Sequence, residues 1–192
     1  MVLETVIIAA ISAYIRGGKL KNMSNVRFRY WYLVILGFFM QQIPGFLNNL
    51  GDGEFAKIAA DTSFILVVTS YILIIIPLLF NLKINGIFFS LTGTILNAIV
   101  IIANNGMMPV TKNALVATGY DRSLEIGQKL DMIHYVANGS TRINLLSDFI
   151  PIPRPYPIPH VLSIGDVLLC IGLFLFIQYM FLKKDSDPPK VT

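Results

Sequence analysis

Residues 62–104 read TSFILVVTSYILIIIPLLFNLKINGIFFSLTGTILNAIVIIAN, and Lys83 is the one ionised side chain in the run. A helix needs about 20 apolar residues, at about 1.5 Å rise each, to cross the hydrocarbon core of a bilayer. The run therefore reads as two spans, about 62–82 and 84–104, hinged at Lys83. The rest of the 192-residue chain agrees: 55% of it is apolar and 14% is charged, against roughly 25% charge in a soluble domain. An ordinary cytosolic enzyme is excluded, and an all-α integral membrane protein is expected.

Three further stretches qualify as spans: 30–51, 163–182 and, shorter, 2–18. Ser163-Ile-Gly-Asp166 has the form of a capping box, which starts the last helix early enough to reach spanning length. Five transmembrane helices form a single domain, 1–182, with a long connecting segment over 104–162. Residues 183–192 are expected to be a disordered cytoplasmic tail.

Basic residues in short loops stay in the cytoplasm. Arg16, Lys19, Lys21, Arg27, Arg29, Lys83, Lys183, Lys184 and Lys190 fall on one side of the spans, whereas most acidic residues, among them Glu4, Asp52, Glu54, Asp61, Asp148 and Asp166, fall on the other. The expected topology is N-out and C-in. With Glu4 before the first apolar run and Arg16 after it, that run lacks the basic leader of a cleaved signal and is expected to be a retained helix. The net charge of +4 is then topology and gives no reason to invoke nucleic acid. Membrane lipid is the expected surrounding, and the oligomeric state is left open. Cys170, the single cysteine, rules out a disulfide framework.

Polar residues inside the spans are one-sided. Gln41, Gly45 and Asn48 recur at helical spacing, as do Ser90, Thr94, Asn97 and Asn104, and all lie toward the outer ends. They serve either as hydrogen-bonding contacts between helices or as the wall of an outward-open cavity. Asn104-Asn105-Gly106 followed by Pro109 breaks the fourth helix at the outer interface. Within 104–162, Asp121 is placed to cap an amphipathic helix over 123–138, with Leu130, Ile133, His134 and Ala137 on one face and Gly139 ending it. Pro151, Pro153, Pro155, Pro157 and Pro159 then predict an extended strap of about 3 Å per residue.

No metal or cofactor motif is present: His134 and His160 fit no HExxH spacing, and no cofactor is expected. What remains is a pair of carboxylates, Asp148 and Asp166, both next to apolar sequence. Two carboxyls at a low-dielectric interface cannot both ionise cheaply, so they share a proton and can work as acid and base on a water. The alternative for Asp166 is a helix cap, and for Asp148 a turn. The candidate catalytic residues are Asp148 and Asp166, and the candidate substrate-binding residues are Asn104, Asn105, Gly106, His134, Gln41 and Asn48.

The segments NNGMMPV (104–110), LSDFIP (146–151) and SIGDVLLCIG (163–172) together resemble a family of small bacterial polytopic membrane proteins that is known as a domain of unknown function. Locally, Asp148-Phe149-Ile150 and Asp166 also resemble the aspartate pair of type II (lipoprotein) signal peptidases, although no Asp-Arg motif precedes Asp148. That likeness implies an outward-facing aspartyl hydrolase acting on a lipid-linked or membrane-proximal peptide. The competing expectation is a non-catalytic membrane subunit or small-ligand-binding protein.

Overall fold

A computed structural model describes residues 1–50, 53–120 and 123–183. Asp121, expected above to cap a helix, and the tail from 184 lie outside the described residues. The long helices are α1 (Val2–Ile15), α2 (Trp31–Asn49), α3 (Glu54–Phe80), α4 (Ile87–Ala103) and, after the connecting segment, α6 (Ile164–Leu182). A short 3₁₀ turn, Leu20–Asn25, joins α1 to α2. Helices α3, over Lys57–Phe80, and α6 are long and apolar enough to cross a membrane, whereas α1 and α4 are apolar but shorter. Helix α2 has the length but carries Gln41, Gln42, Asn48 and Asn49 in its second half. Ile65, Ile72 and Leu79, seven residues apart along α3, are exposed, an apolar face that a water-soluble surface does not tolerate in quantity.

The helices lie side by side in the order α2, α3, α4, α6, α1. The tightest approach is between α4 and α6. A Cβ on Gly93 would run into the Gly165 carbonyl, and one on Gly172 would run into the Ser90 backbone. Small residues at these positions let the two backbones come together. At the other end of the bundle, the buried Asn81 caps α3 and pins the segment before α2. It accepts from Arg29 N at 2.9 Å and donates to Arg29 O at 2.9 Å and Pro77 O at 2.7 Å. Ile74, Leu78, Ile84, Ile87 and Leu91 form a core between them.

The segment between α4 and α6 folds as a cap on one end of the bundle, and it corrects two expectations. No amphipathic helix forms over 123–138. Instead, β1 (Met108–Val110) pairs in parallel with β2 (His134–Val136), Met108 opposite His134. Three local features oppose the helix. Gly127 takes φ +85°, a conformation open chiefly to glycine. The Asp131 side chain accepts from the backbone of Ile133 and His134, a turn that competes with helical bonding. Finally, Val136 is fully buried beside Val110 and Leu115, the last on the short helix α5 (Lys112–Ala117). The chain is thus mostly helical rather than all-α.

The prolines do not form a straight strap either. β3 (Ile150–Ile152) and β4 (His160–Leu162) pair antiparallel, Ile150 opposite Leu162, and the remaining prolines form the tip of a hairpin. Proline lacks a donor N–H and is restricted to the edges of sheets; a two-stranded ribbon is all edge. The third helix also starts earlier than expected, at Glu54 rather than Thr62. Asp61 therefore sits within a helix and not in a loop.

Candidate functional site

The hairpin brings the two aspartates together. Phe149 N donates to Leu162 O at 3.1 Å, which extends the pairing one residue past the pair of Ile150 and Leu162, so Asp148 and the start of α6 at Ser163 emerge close together at the open end of the ribbon. Asp148 is further fixed by β1: its N–H donates to Pro109 O at 2.9 Å and its carbonyl accepts from Thr111 N at 2.9 Å. Ser163 then starts α6. Its Oγ accepts from Asp166 N at 2.9 Å while Asp166 Oδ2 accepts from Ser163 N at 3.0 Å, the reciprocal box foreseen from the sequence.

Asp148 and Asp166 line one cavity of about 110 Å³, together with Gln41, Tyr71, Asn97 and His134. The two carboxyls have unlike surroundings. Both oxygens of Asp166 are engaged, because Asn97 Nδ2 donates to Oδ1 at 2.8 Å in addition to the bond from Ser163 N. Asn97 Oδ1 in turn accepts from Ser163 Oγ at 2.9 Å, which closes a ring of hydrogen bonds among three residues by way of the Ser163 backbone N–H. Asp148 is 5% exposed, and its Oδ1 is buried without a hydrogen-bonding partner among the described residues. Its Oδ2 lies 3.9 Å from His134 Nε2.

His134 is placed by β2 and oriented by Asp131, whose Oδ2 is 2.8 Å from Nδ1, leaving Nε2 toward Asp148. Burial pushes the Asp148 carboxyl up, and the neighbouring Asp166 carboxylate pushes it further, to about 7, against the opposing influence of His134. Burial works against a charged His134, but the hydrogen bond and charge of Asp131, with help from Asp148 and Asp166, hold its pKa above the ordinary histidine value. For Asp131 burial acts upward, and the His134 contact with two backbone N–H groups outweighs it, leaving a net lowering. The result is a buried carboxyl with a raised pKa, Asp148, in one cavity with a hydrogen-bonded carboxyl, Asp166, and an oriented imidazole, His134.

The other candidate residues divide. Gln41 and His134 line the cavity. Asn48 lies in an adjoining, wider cavity of about 580 Å³, where Gln41, Gln42, Asn49, Lys129 and Asp131 also appear and which Gln41 shares with the first. Asn104 acts as a clasp. Its Nδ2 donates to Val100 O and Arg142 O, and its Oδ1 accepts from Arg142 N and Tyr135 Oη, so its bonding capacity is used within the protein. Asn105 and Gly106 form the turn after α4 with φ +55° and +85°, and Gly106 abuts Phe64. None of these three lines the aspartate cavity. Asn97, Tyr71 and Asp131 were not singled out as site residues from the sequence. The available signal for Asn97 was its place on the polar face of α4, opposite Gly165, where a Cβ would displace its side chain. Among the described residues, no group of three His, Cys, Asp or Glu side chains converges to hold a metal ion.

Residues 25–178 match the model of DUF5317, a family of unknown function, and the chain belongs to that family. An uncharacterized protein of Thermotoga maritima is 26% identical over 176 residues, which cover 92% of this chain and 89% of that one. No solved structure matches.

Proposed function

We propose that this member of the DUF5317 family is a multi-pass protein of the bacterial cytoplasmic membrane, five-spanning with its N-terminus outside, whose outward-facing cavity hydrolyses a lipid-linked or membrane-proximal peptide through Asp148 and Asp166. The observation that carries this reading is Asp148: a buried carboxyl with one oxygen unmet, tuned to about 7, in the same cavity as a second carboxyl. Buried polar groups are almost always satisfied, and the exceptions ask for a reason. Pairs of titratable groups in contrasting environments are the usual basis of acid–base chemistry.

In the proposed reaction a water between the carboxyls attacks the substrate carbonyl carbon. Asp166 takes a proton from that water, and Asp148 gives its own to the carbonyl oxygen. The tetrahedral adduct collapses as Asp148 recovers a proton from the adduct hydroxyl and Asp166 passes its proton to the departing amine. Both residues return to their starting states. Asn97 and the Ser163 N–H hold Asp166 in place, and His134 steadies the charge on Asp148 between steps. A cavity of about 110 Å³ has room for several waters, while the adjoining cavity along Gln41 and Asn48 offers carboxamides for a polar chain. Asn104, Asn105 and Gly106 then serve the site by shaping the cap.

The test is cleavage of fluorogenic, lipid-anchored peptides by the protein reconstituted in vesicles. Turnover is expected to fall by about 10²-fold or more in Asp148→Asn and, separately, in Asp166→Asn. Absence of turnover, or turnover that survives Asp148→Asn, sinks the reading. The capping box favours one rival, a non-catalytic membrane subunit whose Asp166 serves the helix alone; that reading gains if both variants fold and behave as the parent in every assay.

A further inference from the structure

A second cavity, of about 430 Å³, is bounded by the first turns of α1 (Val2, Val6) and the first half of α2, and runs along α6 from Leu169, one turn past Asp166, to Met180 near the helix end. Its lining is apolar apart from Ser90 and Thr94 and comes from all five long helices. The Thr94 hydroxyl is already spent on Ser90 O, at 2.8 Å. Val6 on α1 and Trp31 and Phe38 on α2 line it while being exposed themselves, so the groove opens to the surroundings of the bundle.

Two dimensions of this groove identify what fits it. Along α6 it runs from Leu169 to Met180, about 16 Å at helical rise, which is half of the ~30 Å hydrocarbon thickness. A transmembrane helix from a second chain would require the full thickness, whereas an acyl chain from one leaflet requires half. At the Trp31 end the groove meets a second hollow, formed by Arg27 to Tyr32, with Phe28 and Trp31 lining both. Arg27 and Arg29 are exposed there, and Asn81 fixes the Arg29 backbone by two hydrogen bonds. An apolar slot one leaflet deep thus ends at two arginines and an aromatic girdle of the kind found at headgroup level.

We infer that this groove is a site for one anionic phospholipid, with an acyl chain along α6 and the phosphate headgroup at Arg27 and Arg29. The inference rests on the membrane placement proposed above but not on the hydrolase. The headgroup end lies on the side assigned to the cytoplasm, where anionic lipids supply the negative surface.

Trp31 is the only tryptophan and stands at the junction of slot and headgroup hollow, so its fluorescence reports occupancy without any substitution. The protein is reconstituted in phosphatidylcholine vesicles containing a small fraction of either brominated phosphatidylglycerol or brominated phosphatidylcholine. The expected result is preferential quenching by the phosphatidylglycerol, with an apparent affinity advantage of about fivefold per arginine. In the Arg27→Gln/Arg29→Gln variant that advantage disappears while general quenching persists. A second variant, Val34→Phe, adds bulk to the groove wall and leaves the arginines; quenching by both lipids should weaken. Equal quenching by the two lipids in the unaltered protein, or a preference untouched by the arginine change, overturns the site. Alkaline carbonate extraction separates the two levels: release from membranes overturns the membrane placement itself, while retention with equal quenching overturns only the lipid site.

Discussion

A carboxyl taken out of water with one oxygen unmet weakens the fold whenever it ionises. For Asp148 the pKa moves from 3.8 to about 7 on folding, so within that window the folded chain keeps a proton that the unfolded chain has lost. Stability consequently falls as pH rises from about 4 to 7, and the deficit is complete above that. Asp148→Asn should stabilise the protein by an amount on the order of 2–4 kcal/mol at pH 8 and by little at pH 4, measured by thermal unfolding at both pH values. A variant that is less stable at pH 8 would make the carboxylate a structural anchor. The proposed chemistry adds a kinetic counterpart: Asp148 must carry its proton to act as the acid, so the rate should drop as pH climbs through about 7. Asn97 is a different kind of residue, one that holds others. Asn97→Leu deprives Ser163 Oγ of its acceptor and Asp166 Oδ1 of its donor, and should cost about 1–3 kcal/mol in thermal or denaturant unfolding. No loss would show the ring of bonds to be incidental.

Between elements, the decisive contacts are those that place α4 on α6 and β3 on β4. Gly172→Val adds three carbons, the first of them where the Ser90 backbone already lies, so α4 and α6 must separate and carry Asn97 away from Asp166. The expected outcome is a thermal midpoint lowered by several degrees and loss of any activity that depends on the pair; an unchanged midpoint would place the close approach elsewhere. How far the sequence revealed these elements depended on how local their causes are. The start of α6 was readable because Ser163 and Asp166 cap each other within one turn. The β1–β2 pair was not, because Met108 meets His134 across a span of chain that has no periodic signal of its own, and the spacing of Leu130, Ile133, His134 and Ala137 imitates a helix. Of the five prolines only Pro151 lies in a strand; the chain turns at Arg154 and Pro155, because the fold of this stretch depends on β3 finding β4 and not on the local preference of proline. The aspartates stood out by residue type, and Asn97 stood out only as one of the polar residues of α4; its bonds to Asp166 and Ser163 on another helix depend on packing.

At the scale of the whole molecule, the charge asymmetry predicts an orientation that labelling can read. In a background with Cys170 replaced by Ser, a cysteine at Gly119 should react with an impermeant thiol reagent added to intact cells, and one next to Arg27 should not. The reverse pattern would turn the bundle over and place the aspartate cavity on the cytoplasmic side. The packing order α2, α3, α4, α6, α1 also bears on how the protein is made. Helix α1 buries Ala9 and Ala13, and its main contacts are with α6: Ala9 O accepts from Gln178 Nε2 at 2.8 Å, and Arg16 reaches Gln178 Oε1 at 2.7 Å. Helix α1 must therefore wait for α6, which is made well after it. At about 5–20 residues per second, the intervening chain takes on the order of ten seconds to synthesise, and in the proposed membrane placement α1 spends that time without its mate. Messages cut short before α6 would strand α1, and a quality-control protease that surveys the membrane would meet it as an orphan.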